Sequence, residues 1–363
     1  MTDMTIILEG TFFAKSPVHI VPPFSRSVNV SPHADANECA YRLRYHNGEW
    51  KKVACVTSST FRGGLRRAAV NEAWGLAADA PNKPTIDDYV YGAVGGVKGK
   101  EKETVETVAT RARRRALNPV VGLFGASTPW DAGRAITPSL EADPDFIDRD
   151  AYAREGDVKP SQMIGARRSD DMTMSHGLQD LLSGDPLDRW NEMRSQTKKD
   201  IEVQRRIDEL EKERRQASPE ERPKIENSIK KEKDKLSGSN SLLLPFAHQV
   251  MPAGTPLTQK IVLKNVSEVE AGLFLAAIDR LWSENPAFGG KKSHGYGLIE
   301  GGWDVKLKVG RRTEDAGKIT VAPYEGIDVD QSEEAQRLIK VWDDHLAAVK
   351  SGEAEMDLRQ GDV

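Results

Sequence analysis

Two short stretches of the chain gather groups suited to holding an anion. The first is Ser58-Ser59-Thr60-Phe61-Arg62-Gly63-Gly64-Leu65-Arg66-Arg67. Hydroxyls at its start cap a helix, and a helix start offers unpaired N–H groups and the positive end of a dipole. Arg62, Arg66 and Arg67 add charge. Two glycines in the first turns weaken the helix by roughly 1 kcal/mol each, a cost that makes sense if something must come close to the backbone. An ordinary capped helix with surface arginines would use the same residues. The second stretch is Gly289-Gly290-Lys291-Lys292-Ser293-His294-Gly295-Tyr296-Gly297. Its glycines allow close approach to a ligand, its lysines supply charge, and Tyr296 is placed either to stack on a base or to pack. A flexible basic loop is the competing reading. Phosphate binding is the chemistry the two stretches share.

Other chemistries are excluded by spacing. A phosphate-cradling loop of the G-x-x-x-x-G-K-[ST] kind fails at Gly99-Lys100, because Val94 stands five residues earlier and Glu101 follows. HExxH, GxSxG and a dinucleotide GxGxxG do not occur. The seven histidines are scattered, so no metal site and no cofactor are expected. Cys39 and Cys55 form no CxxC pair and read as reduced thiols in a cytoplasmic protein. With 52 basic and 56 acidic residues the net charge is −4, so any nucleic-acid contact rests on local patches.

These stretches need elements to position them. At 363 residues the chain has room for two domains, or one with large insertions. It contains no apolar window long enough to span a membrane, and its opening residues lack the pattern of a signal peptide. Residues 4–13 read as a strand and 16–32 as a Pro- and Ser-rich loop. Residues 41–56 read as a hairpin turning at Asn47-Gly48. A helix is expected from Phe61 to Ala78, burying Phe61, Leu65, Ala68 and Ala69. Residues 80–103 read as a mobile loop, followed by a basic cluster at Arg111, Arg113, Arg114 and Arg115. Residues 141–185 suggest loops and short strands. Residues 189–236 are dominated by charge, with a thin apolar seam, and read as a helical hairpin whose second helix is capped by Ser218. A strand at 259–264, a helix from Val266 to Trp282, a strand at 298–309 and a helix from Ser332 to Val349 follow, and residues 351–363 are expected to be disordered. The two halves are expected to close one βαββαβ sheet.

Several segments then carry a family resemblance. They are Ser16 to Ile20 after the first strand, Thr57 to Arg66, Pro119 to Gly125 ending in Leu-Phe-Gly, and Val250-Met251-Pro252-Ala253-Gly254-Thr255-Pro256 before Lys260 to Leu263. The last is Phe288 to Gly297. In this order they resemble the RAMP superfamily of CRISPR effector proteins, in particular the backbone subunit of a type IV complex. The resemblance implies an α+β fold, a modified RRM/ferredoxin-like palm with a thumb β-hairpin and helical insertions. It divides the chain into residues 1–150, the first part of the palm, and 151–188, the thumb. Residues 189–240 are then the charged hairpin, 241–310 the second part of the palm and 311–363 a C-terminal extension with a tail helix.

The implied function is to bind crRNA guide without catalysis and to present it to target DNA or RNA. The implied partners are copies of the chain in a head-to-tail filament and other CRISPR effector subunits, with no membrane. The RNA-binding residues would be Arg26, Ser58, Ser59, Arg62, Arg66, Arg67, Arg167, Arg168, Gly290, Lys291, Lys292, Ser293, His294 and Tyr296. Met172 or Met174 would be the thumb wedge. RNA-cleaving relatives place an aspartate after the first strand; here the first acid is Asp35, which leaves metal-dependent target cleavage as an alternative. A protein-binding scaffold that never touches RNA is an alternative of another class.

Overall fold

The computed structural model describes residues 4–21, 27–31, 34–75, 85–95, 107–127, 130–146, 162–167, 202–203, 205–207, 209–210, 213–214, 218, 221–235 and 245–358. The chain divides into two compact units. One comprises residues 1–21, 39–161 and 250–363, the other residues 22–38 and 162–249.

The first unit is built on alternation. In β1 (Met4–Ala14) Ile6, Leu8, Phe12 and Ala14 turn inward and are buried. This strand lies between β13 (Ile299–Val309) and β12 (Pro256–Val266), antiparallel to both. On the far side of β12 comes β9 (Leu140–Ala142), again antiparallel. The helix α1 (Ser58–Trp74) lies between β1 and β9 in the chain, and α6 (Glu268–Glu284) links β12 to β13. Strand order β13-β1-β12-β9 with these two helices is the split βαβ arrangement of a ferredoxin-like sheet. The fold is α+β, as the residues lead one to expect.

The sheet is extended at both edges. Beyond β9 lie β5 (Glu49–Val56) and β4 (Tyr41–His46), joined at Asn47 and Gly48, whose φ of 50° and 86° suit a tight hairpin turn. At the opposite edge β14 (Arg312–Ala322) and β15 (Gly326–Asp328) continue from β13. This pair has no counterpart in the sequence reading. The core lies between the sheet and the two helices. Phe61 of α1 stacks on Phe288 with ring centroids 5.8 Å apart, Trp282 of α6 meets Trp303 at 5.9 Å, and Trp303 meets Phe12 at 4.6 Å. Such a cluster of wholly buried rings fixes α1 and α6 against the strands.

Three further readings are corrected here. Residues 80–103 include a helix, α2 (Ile86–Val94), with a full capping box between Thr85 and Asp88 and Gly95 in the left-handed conformation at its end. Gly and Pro on either side masked that signal. Of the tail expected to be disordered, residues 351–358 are ordered: Leu358 is buried, and the Asp357 N–H donates to Leu117 O at 2.9 Å. The helix before it, α7 (Glu333–Ser351), is capped by Ser332 as expected and buries Trp342. It comes so close to α6 that a side chain at Gly272 would collide with Leu338 O. Finally, the loop expected over 16–32 contains β2 (Ser27–Ser31).

In the second unit β2 pairs antiparallel with β3 (Ala34–Asn37), and β3 runs parallel to β11 (Pro245–Val250). The order β10-β11-β3-β2 is completed by β10 (Gln162–Arg167). Strand β2 takes its pairing from β3, a tertiary gain that Ser-Val-Asn-Val-Ser does not advertise. The described residues of 202–214 are helical, and Ile207 among them is buried. Arg214 there pairs at 3.4 Å with Glu226 of α5 (Arg222–Lys233). That helix starts later than Ser218 suggests. Ser218 instead donates its N–H and hydroxyl to the Glu221 carboxylate, and Pro223 occupies the first turn.

Candidate functional site

Both anion-suited stretches belong to the first unit, and a cleft of about 370 Å³ lies between them. Thr60, Gly64, Arg67 and Asn71 of α1 line one side, and Phe288, Gly289 and Lys292 line another. The helix start is held in place by its own hydroxyls. The Thr60 N–H donates to Thr57 Oγ1, the Ser58 N–H to Ser139 Oγ at 3.0 Å, and the Ser58 hydroxyl to Thr137 O at 2.6 Å. Ser58 is therefore committed to the loop before β9. Ser59 is exposed, and its N–H finds no acceptor among the described residues.

The three arginines of α1 separate into two classes. Arg66 is buried, with its guanidinium donating to Gly92 O, to Tyr91 O at 3.1 Å and to Phe124 O at 3.4 Å. Burial, with the neighbouring Arg62 charge, lowers its pKa to about 10. Arg62 is half-buried over the Phe124 ring and donates to Ala135 O and to Phe124 O. Expected at phosphates, these two instead satisfy carbonyls at the ends of short elements. Only Arg67 points outward, and among the described residues it has no hydrogen-bond or ion-pair partner. The i+1 spacing of Arg66 and Arg67 puts them about 100° apart on the helix, enough to send one inside and one out.

The glycine loop also separates. Gly289 and Gly297 have φ of 87° and 91°, and a side chain at either would strike the backbone of His19 or Phe288. The Gly290 N–H donates to His19 O at 2.8 Å and the Gly297 N–H to Pro17 O at 2.9 Å. These glycines hold the loop against residues 17–19 rather than opening its backbone to a ligand. Lys291 takes φ of 61°, and a single 3₁₀ turn over Lys292–His294 follows. Ser293 and His294 are exposed; Lys291 and Tyr296 are half-buried. Lys292 Nζ donates to Asn285 Oδ1 at 3.0 Å. Burial, then the nearby Arg67 charge, lowers the Lys292 pKa.

The cleft is unbalanced in charge. Arg280 also lines it, but pairs with Glu72 at 2.9 Å and with Glu284 at 3.0 Å. Those acids are thus engaged, and Arg67 and Lys292 face the cleft without a carboxylate of their own. Gly64 adds a second feature. A Cβ there would meet only Leu281 side-chain carbons, at 3.4 Å or more, so packing does not demand a glycine. Sequence reasoning passed over Arg280, Asn71 and Asn285, because only the packing of α1 on α6 gathers them.

Other expected site residues lie elsewhere. Arg167 ends β10 in the second unit, and Asp35 lies in β3 opposite Asn29. Arg26, Arg168, Met172 and Met174 fall outside the described residues. Among the described residues no cluster of His, Cys, Asp and Glu could hold a metal, and no helix is long and apolar enough to cross a membrane.

No protein-family model matches the chain, and no curated protein does. Among solved structures, a chain of a Type IV-B CRISPR complex is similar to it, at 13% identity and a TM-score of 0.41 over 85% of this chain and 92% of that one. A likeness at that level assigns no function.

Proposed function

We propose that this chain is a non-catalytic, multi-copy backbone subunit of a CRISPR ribonucleoprotein, which grips crRNA guide by its phosphates and offers it to target DNA or RNA. The observation that carries the reading is the pair Arg67 and Lys292, brought to one cleft where the acid among the described lining residues, Glu284, is engaged by Arg280. Like charges held side by side are relieved by an anion. The unpaired Ser59 N–H and the bare backbone at Gly64 suit a phosphodiester that comes close to the helix. The segments around both stretches are also the ones that resemble the RAMP superfamily. Selectivity then comes from base pairing, while the protein reads the backbone. Partners in this reading are further copies of the chain, arranged head to tail, and other effector subunits. Such a heterologous contact repeats along the guide as a filament.

The test is salt dependence. Arg67→Glu combined with Lys292→Glu is expected to weaken binding of a guide-length single-stranded RNA. It should also reduce the slope of log affinity against log salt by about 1.4, the share of two phosphate contacts. An unchanged slope would remove the cleft from the RNA path. Nuclease protection at even intervals, growing with RNA length, would establish the multi-copy arrangement.

A further inference from the structure

The cleft holds more than cations. Thr60, Gly64, Arg67 and Asn71 follow one another on α1 at steps of three and four residues, so they share one face of the helix. Asn71 therefore stands one turn beyond Arg67, about 6 Å further along the axis. It is exposed, and its carboxamide has no hydrogen-bond partner among the described residues. Helix α2 brings a second neutral group. It lies antiparallel along α1, with Gly95 against Arg66, Gly92 against Val70 and Tyr89 against Trp74. A Cβ at Gly92 would stand 3.1 Å from Val70, so the glycine lets the two helices come close. Tyr89 then lines the cleft. Its ring meets Trp74 edge to face at 5.6 Å, and its hydroxyl finds no partner among the described residues.

These two groups suit a different part of a ligand from the one the cations hold. A carboxamide presents a donor and an acceptor side by side, the pattern that matches the edge of a nucleobase. A phenol offers a ring face to stack on and a hydroxyl that donates or accepts. A phosphate seated between Arg67 and Lys292 leaves Asn71 one turn away. The cleft, at about 370 Å³, also lies within the range of about 300–1,000 Å³ that small-molecule sites occupy, which is more room than a phosphate needs. An anion at Arg67 and Lys292, with a flat polar ring one turn further on, describes a nucleotide.

We infer that the cleft takes a whole unpaired nucleotide, with its phosphate on Arg67 and Lys292 and its base on Asn71 and Tyr89. The inference rests on the guide-binding reading in so far as that reading seats a phosphate there, and it adds that the base is bound by protein as well. A base stacked on Tyr89 has left its own stack, so the cleft prefers a single strand to a duplex. A nucleotide within a strand and a free nucleotide share this chemistry.

The experiment uses the full chain. The probes are a short oligoadenylate, the same ribose-phosphate strand without its bases, and adenosine monophosphate. The two strands carry equal charge, so phosphate contacts alone would bind them equally. Oligoadenylate is expected to bind about fivefold or more tighter than the abasic strand. Asn71→Ala with Tyr89→Leu should erase that difference while leaving the salt slope and the abasic-strand affinity as they are. A strand bearing azidoadenine should form photoadducts on Tyr89. Should Tyr89→Leu lower stability, the exposed change Asn71→Ala, expected to remove part of the difference, and the photoadduct still decide. Equal affinity for the two strands, or a preference for bases that survives both substitutions, would overturn the inference and leave the cleft a seat for phosphate alone. Adenosine monophosphate separates the two sources: if it binds at the cleft while the strands do not, the ligand is a free nucleotide and only the guide-binding reading fails. If Arg67→Glu with Lys292→Glu leaves strand affinity and salt slope intact, the phosphate seat fails and the inference falls with it.

Discussion

Neighbouring arginines on one helix do opposite work, and substitution should separate them. Arg66→Ala removes a buried cation that serves three carbonyls, so it is expected to cost about 1–3 kcal/mol or more of stability. Arg67→Ala should leave the stability within about 0.5 kcal/mol of the parent and weaken RNA binding. Thermal unfolding and RNA titration of both variants check the assignment; equal stability losses would place Arg67 in the scaffold. Lys292 allows a pH test. Its pKa is lowered in the free chain, and a phosphate beside it would raise it again, so binding takes up a proton. RNA affinity should hold below the lowered pKa and fall as pH rises through it, at lower pH than for an ordinary lysine. Lys292→Arg should abolish that fall, because a guanidinium stays charged. RNA affinity measured across alkaline pH for the two proteins decides.

At the scale of the element, α1 is a helix weakened at the end where it meets the cleft. Alanine at Gly64 fits the packing, so Gly64→Ala should stabilise the chain by about 0.5–1 kcal/mol through helix propensity. If the glycine keeps room for a phosphodiester, the same change lowers RNA affinity. Chemical denaturation and RNA titration should therefore move in opposite directions, and a variant improved in both would leave Gly64 without a ligand role. The glycine loop differs from α1 in this respect. Gly289 and Gly297 answer to contacts with the chain's own backbone, and their positive φ is a requirement of the fold.

For the whole molecule, the two cysteines offer a readout of opening. Both are buried, and burial with the Glu141 charge pushes the Cys55 thiol up to about 11. A thiol of that kind is protonated at neutral pH and unreactive. Native protein at neutral pH is expected to resist alkylation at Cys39 and Cys55, with both labelled in denaturant. Mass spectrometry of labelled peptides reports this. Labelling of native Cys55 would mean that the base of the β4–β5 hairpin opens without global unfolding.

Local physics wrote much of this structure into the sequence. Alternation in residues 4–13, the Asn47-Gly48 turn, the Ser332 cap and the helical spacing after Ser267 each act over a few residues, and each is legible there. The capping box at Thr85 was equally local but lay hidden among Gly and Pro. The anion-suited stretches could also be read, since hydroxyls, glycines and cations stand together in the chain. Their division of labour could not. Whether Arg66 or Arg67 faces a ligand depends on where Gly92 and Phe124 fall, residues far along the chain. The charge imbalance of the cleft depends on Arg280 engaging Glu72 across more than two hundred positions. Strand β2 exists through its partner β3, and the sheet order β13-β1-β12-β9 joins both ends of the chain. Short-range preference set the elements, while burial and long-range pairing alone chose which side chains the fold consumes and which it leaves for a ligand.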